Sequence, residues 1–358
     1  VYYVMGKKCY PLIIAIIFIG IVCVCFFYPW ETVPKELVDM PKTEENFLAD
    51  YSFYQNLDVS TLENEISAIQ ENEVIVMNFS NGMSQESLKI LKKFGILYPD
   101  LEKEQMNGEL LIYRKNSLLH SGFIEKSLDL EHRQQMIDQF VRVVSEFMDK
   151  TGYVFTLENG GKTIGTYTVM KDIYDCYTEE TTEEEKVGSY CSIYVVQKIL
   201  DEDQNHDYYT LTCFQQVKPY IGSSYLTNYF ATGVSPYQKD AILIDFKPHI
   251  SGQLEKDQAY FISLNPLLET GFRWTGRTGT QISATAYDNM YTIRFHDKKG
   301  IYGENGIIDF SFYVFYRVPN KSELRFQYNH HLCNATYRRG RDPHYYGGEW
   351  HSLIVPSE

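Results

Sequence analysis

The residues whose types and spacing most directly suggest chemistry are a run of alternating oxygen-bearing side chains and a small set of cysteines. In the stretch DEDQNHD, Asp201, Asp203, Asn205 and Asp207 place a carboxylate or amide oxygen at every second position. The first half of a calcium loop does the same, because Ca²⁺ takes roughly six to eight hard oxygen ligands. His206 stands where such a loop needs Gly, and Thr212 where it needs a bidentate Glu. A polar turn joining two strands is the plain expectation. A weak surface Ca²⁺ site is the sharper one, and no other cofactor is implied.

Of the 7 Cys, Cys9, Cys23 and Cys25 belong to or border an apolar N-terminal run. Cys176, Cys191, Cys213 and Cys333 are left for the folded part. An even number in an oxidising compartment permits two disulfides. Cys176 with Cys191 would close the acidic stretch 179–185 (EETTEEE), and Cys213 with Cys333 would tie a central strand to the C-terminal segment. Four buried free thiols are the alternative, since Cys packs as a small hydrophobe.

Residues 209–213 (YTLTC) are similar to the end of the sortase active-site strand, where a TLxTC pattern delivers a nucleophilic Cys. The resemblance covers these five residues and implies a Cys-dependent transpeptidase acting through Cys213. The spacing is one residue short, no Arg follows Cys213 until Arg273, and His120 sits in a context (LLHSGF) unlike that family's histidine strand. Cysteine catalysis also needs a base to raise the thiolate fraction.

Aromatic and cationic residues gather in two Gly-containing loops. The C-terminal one mixes His330, His331, His344 and His351 with Arg338, Arg339, Tyr345, Tyr346 and Trp350; residues 265–279 (NPLLETGFRWTGRTG) carry Arg273, Trp274 and Arg277. Such sets can stack on sugar rings and hydrogen-bond anionic glycans, because the guanidinium is a planar fork matched to carboxylate and phosphate. The competing reading has the Tyr and Trp rings completing a core. Adjacent His residues point to opposite faces of a strand, which weakens a zinc reading.

The chain lacks HExxH, GxSxG, SxxK, a Walker loop and a Gly-rich dinucleotide turn, so the usual support for metalloprotease, hydrolase-fold, penicillin-binding and nucleotide-dependent readings is missing. A hydrolase built on two carboxylates needs no sequence adjacency and stays open. A formal net charge of -14, with no offsetting basic stripe, argues against nucleic acid as a partner.

The elements that must position these residues begin with a membrane segment. Residues 11–28 (PLIIAIIFIGIVCVCFFY) carry no charge, with Tyr10 and Trp30 as interfacial aromatics. At ~1.5 Å per residue such a helix spans ~30 Å, a bilayer core. Lys7 and Lys8 precede it and Glu31 follows, which orients the N-terminus to the cytoplasm and the rest outside, a single-pass type II arrangement. The expected organisation is a short cytoplasmic N-terminus (1–9), a transmembrane anchor (10–30), a Pro-containing linker (31–50), a small α/β domain (51–152) and a β-rich, sandwich- or barrel-like domain (153–358), giving an α+β chain overall.

Within 51–152, helices are expected over about 60–71, after Ser84 with Gly95 as a stop, and from Asp129 to Gly152, with strands at 74–79, 110–114 and 118–124. Beyond Gly152 the apolar period becomes two and no helix is expected. A hairpin turns at 159–161, and further strands cover 189–200, 207–217, 241–246, 258–264, 281–287, 291–296, 308–318 and 324–328. The function expected from this plan is a membrane-anchored extracytoplasmic binding or interaction protein, directed to a cell-envelope component or glycan. The open alternative is an envelope-acting enzyme, either a hydrolase or the transpeptidase above. A pore-forming or assembly subunit is a third class, for which no long amphipathic, Ser/Gly-rich stem segment is found.

Overall fold

The structure is a computed structural model that describes residues 51–55, 59–78, 83–100, 108–125, 130–151, 161–176, 184–201, 203–219, 225–265, 268–274, 276–301, 307–336, 344–347 and 350–356. The expected anchor, with the segments 1–9 and 31–50, lies outside the described residues, as do the turn at 159–161 up to Gly160 and most of the acidic stretch. Among the described residues no helix is long and apolar enough to cross a membrane.

In chain order the elements are β1 (Tyr51–Gln55), α1 (Val59–Ala68), β2 (Val74–Asn78), α2 (Gln85–Lys93), β3 (Tyr98–Pro99), β4 (Gly108–Lys115), β5 (Leu118–Glu125) and α3 (Leu130–Thr151). Strands follow without a helix: β6 (Gly161–Cys176), β7 (Glu184–Ile199), β8 (His206–Pro219), β9 (Tyr225–Pro236), β10 (Ile242–Lys247), β11 (Ile250–Gln253), β12 (Ala259–Asn265) and β13 (Leu268–Arg273). The last are β14 (Gln281–Tyr287), β15 (Met290–His296), β16 (Ile308–Pro319), β17 (Leu324–Thr336), β18 (His344–Gly347) and β19 (His351–Val355). The protein is therefore β-rich with three helices among the described residues, as the change of period at Gly152 implies.

Two large sheets carry the architecture. One has nine strands in the order β1-β2-β4-β5-β6-β7-β8-β16-β10; the other runs β11-β14-β15-β9-β17-β19-β3, with β18 also paired to β17. β12 and β13 form a separate hairpin. Their inner faces share one aromatic core that includes Tyr194, Tyr209 and Phe312 from the first sheet and Phe230, Tyr291 and Phe326 from the second. This is a β-sandwich arrangement, with alternate residues of each strand turned inward. On β7 the alternation is explicit: Tyr190, Tyr194 and Val196 enter that core, while Cys191, Ile193 and Val195 face the other way.

The outward face of the first sheet is covered by α3. Ile137, Phe140, Val144, Phe147 and Met148 pack on Val76 and Leu111 of β2 and β4 and on Ile193 and Val195 of β7. One helix thus seals strands on both sides of the boundary expected near residue 152. The sheet itself runs across that boundary, because β5 and β6 pair in parallel with His120 opposite Thr166 and Phe123 opposite Val169. A parallel pair needs a crossover, and α3 supplies it. The described residues all fall in one compact unit.

Local signals place the helices as the sequence implies. Ser84 Oγ accepts the Ser87 N–H at 3.0 Å as the cap of α2. At the other end Gly95 sits at φ +67°, its N–H bonded to Lys92 O and the Ile96 N–H to Leu91 O. A left-handed residue after the last turn lets these carbonyls be satisfied, and Gly takes it without strain.

Candidate functional site

Trp274 belongs to the core. Its side chain is fully buried, its ring stacks on Phe295 with centroids 5.3 Å apart, and its indole N–H donates to Arg277 O at 3.1 Å. The aromatic ring in this loop completes the core, where a stacked pair adds ~0.5–1.5 kcal/mol beyond area burial. Arg273 ends β13 and Arg277 lies in the turn after Trp274. In the C-terminal loop, Arg338 and Arg339 lie outside the described residues, and Tyr345 and Tyr346 lie on β18 opposite Cys333 and Leu332. Trp350 is 38% exposed.

The alternating acids bond to donors of their own turn and of neighbouring strands and turns. Asp201 Oδ1 accepts the Asp203 N–H at 2.6 Å, and Asp203 accepts the Asn205 N–H at 2.8 Å, His206 Nδ1 at 2.9 Å and the Tyr208 hydroxyl at 3.1 Å. Those bonds, the Asn205 N–H first, hold the Asp203 carboxyl down to about 2. Asp207 is paired with Lys198 at 3.0 Å and accepts the Lys321 N–H. Calcium loops turn such oxygens toward one point, whereas these point at separate donors. Among the described residues no group of three or more His, Cys, Asp or Glu is placed to hold a metal.

Cys191 and Cys213 are both free and buried. Cys191 stands opposite Met170 on β6, six residues along the strand from Cys176, or roughly 20 Å at ~3.3 Å per residue. Cys213 pairs with Phe312 and Tyr194 in the first sheet, while Cys333 lies in the second sheet opposite Tyr229. Neither expected disulfide is formed. Burial pushes the Cys191 thiol up to about 12 and Cys213 well above the ordinary thiol range. Cys213 has Tyr194 and Ser192 as polar neighbours and is fully buried.

His330 is buried between the sheets. Its Nε2 lies 3.2 Å from Ser192 Oγ and 3.3 Å from Tyr194 OH, and its Nδ1 lies 2.8 Å from Gln215 Nε2 and 3.0 Å from Thr232 Oγ1. His120 is equally interior, with Nδ1 2.6 Å from Thr166 Oγ1 and Nε2 3.3 Å from Lys115 O. Desolvation lowers it to about 4, so it is neutral at physiological pH.

The open site is lined in part by Thr166, the hydrogen-bond partner of His120. A cleft of about 530 Å³ is walled by the C-terminal turn of α2, the β4–β5 hairpin and the start of β6. Five cations line it, Lys89, Lys92, Lys93, Arg114 and Lys162, together with Phe94, Leu118 and Leu119, and no Asp or Glu. The volume is within the ~300–1,000 Å³ usual for small-molecule sites.

Each wall has a local cause. Lys92 and Lys93 in the last turn of α2 complement its macrodipole. The hairpin turns through Asn116 and Ser117, both at positive φ, with the Glu71 carboxylate accepting their N–H groups. The floor exists because two glycines touch: a Cβ on Gly165 would lie 2.5 Å from Gly95 O and would clash with Leu97. Lys92 is paired with Glu323 and Lys93 with Glu63. Lys89 is exposed, and Arg114 Nε is buried without a hydrogen-bond partner. Excess positive charge therefore collects here in a chain of net charge -14. None of these cations stands out in the sequence, because α2 contributes three, the hairpin one and the start of β6 one, from segments far apart along the chain.

No protein-family model matches the chain, and no curated protein matches it. Among solved structures it is similar to one described as a pore forming protein, at 11% identity and TM-score 0.27, covering 52% of this chain and 90% of that one. It is also similar to the Clostridium perfringens NetB toxin in its membrane-inserted form, at 7% identity and TM-score 0.20, covering 52% of this chain and 96% of that one.

Proposed function

We propose that this chain is a membrane-tethered binding protein whose folded part stands outside the cytoplasm and takes an anionic component of the cell envelope into the cation-lined cleft. The observation that carries the binding half is the cleft lining itself, five cations, two of them paired with Glu323 and Glu63 from outside it, and no acid of its own in a strongly acidic chain. Low-dielectric walls focus the field of such a cluster and draw anions in. The tethering half rests on the uncharged run 11–28 with lysines before it and an acid after it.

The full-length chain, purified in detergent, is tested for retention on isolated envelope fractions across a salt series. Retention that falls with salt and is lost in Lys89→Glu is the expected result. Retention indifferent to both would sink the binding reading. Release of the chain from membranes by alkaline carbonate would sink the tether.

A further inference from the structure

The cleft has a neighbour. A second cavity of about 310 Å³ shares Lys89 and Lys92 with it and adds Met83, Gln85, Leu88, Asp100, Glu323 and Arg325. Apart from the shared Lys89, its charges are already matched: Arg325 Nη1 donates to Asp100 Oδ2 at 3.1 Å, Arg325 Nε donates to Glu323 Oε1 at 3.1 Å, and Lys92 pairs with Glu323. The chain Lys92, Glu323, Arg325, Asp100 alternates in sign, so this cavity has little call for a charged guest. It offers instead fixed donors and acceptors beside the apolar surface of Met83 and Leu88, the combination that receives a ring carrying hydroxyls on its edge and C–H groups on its face.

Resting on the binding reading above, we infer that the ligand is an acidic carbohydrate: a neutral sugar ring seats in the charge-matched cavity and a sulfate, phosphate or carboxylate reaches over Lys89 and Lys92 into the cation-lined cleft. A small inorganic anion needs only the cleft, and a neutral sugar only its neighbour. Two adjoining volumes with two shared lysines favour a guest that has both parts.

The test is calorimetric titration of the full-length chain with a sulfated uronic-acid disaccharide, its desulfated and carboxyl-reduced counterpart, inorganic sulfate, and vesicles of anionic phospholipid. The acidic disaccharide is expected to bind at least about tenfold tighter than either the neutral sugar or sulfate. Lys89→Glu, on the exposed face of α2, should weaken disaccharide and sulfate together. Gln85→Trp, which fills the second cavity, should weaken the disaccharide about tenfold and leave sulfate unchanged. Lys299→Glu, at an exposed residue that lines neither cavity, should change neither, with melting temperatures recorded for all variants. Sulfate binding as tight as the disaccharide would overturn the two-part ligand while leaving the anion cleft standing. Binding of vesicles but not of sugars would overturn the carbohydrate in favour of a lipid headgroup. Binding of none of the four would remove both this inference and the reading beneath it.

Discussion

Gln215 on β8 and His330 on β17 meet across the interior of the sandwich, the Gln215 amide donating to His330 Nδ1 at 2.8 Å. The His330 Nε2 faces Ser192 Oγ and Tyr194 OH on β7, at 3.2 and 3.3 Å. One imidazole therefore joins strands of both sheets through polar contacts inside an otherwise aromatic core.

Replacing that ring with an apolar one strands its donors. His330→Phe is expected to cost about 1–3 kcal/mol, the penalty of a buried amide left without an acceptor. Denaturant unfolding of the two proteins measures it, and a loss below a few tenths of a kcal/mol would show the network to be idle.

His120 gives a pH dependence with a definite sign. Its folded-state value is lowered by burial to about 4 against 6.5 for the free group. Between those values the unfolded chain binds more protons, so the native state loses stability as pH falls from 6.5 to 4 and regains it fully above 6.5. The size is about 3 kcal/mol by linkage. The stability difference between the wild type and His120→Gln, followed from pH 7 to pH 4, should change by that order; parallel profiles would refute it.

The Gly95–Gly165 approach couples folding to the cleft. Gly165→Ala is expected to destabilise by about 1–3 kcal/mol through overpacking and to push the end of α2 away from β6. Anion binding should weaken in the same variant, measured by titration with inorganic sulfate at a temperature where it remains folded. Unaltered binding and unaltered stability would contradict the described contact.

The interior thiols should be silent. In the native protein, alkylation at Cys191 and Cys213 followed by peptide mass mapping should be slower by orders of magnitude than in denaturant, because thiolate and access are both suppressed. Labelling of Cys213 at the rate of an exposed thiol would contradict its burial.

Element types were largely legible in the sequence, because they rest on short-range signals. Ser84 and Gly95 bracket α2, the apolar stripe from Ile137 to Met148 marks α3, and the alternation of 281–287 is β14. β9 carries no such signal although it sits at the middle of the second sheet. Its sequence YLTNYFATGVSP contains Gly233 and Pro236 and buries Thr227 and Thr232, so neither alternation nor a greasy run announces it. Gly233 is small because Asn329 and Trp350 lie over it, a long-range fact invisible locally.

The site was less legible than the fold. The loops richest in Arg and aromatic residues drew attention, yet Trp274 serves packing. The cleft is assembled from Lys89, Arg114 and Lys162, which only the parallel pairing of β5 with β6 and the docking of α2 bring together. Charge that is scattered along a chain becomes a field only after folding.

The placement of β16 between β8 and β10 bears on how the chain reaches this state. β8 emerges during synthesis with β7 on one flank, while its other edge stays open until every strand from β9 to β15 has been made. Pairings between such distant segments close slowly, and an unpaired edge invites association with other chains. A nascent molecule therefore carries its most vulnerable surface for most of the time it takes to translate the second half, and a holding factor that covers that edge would serve it better than one that acts at the end.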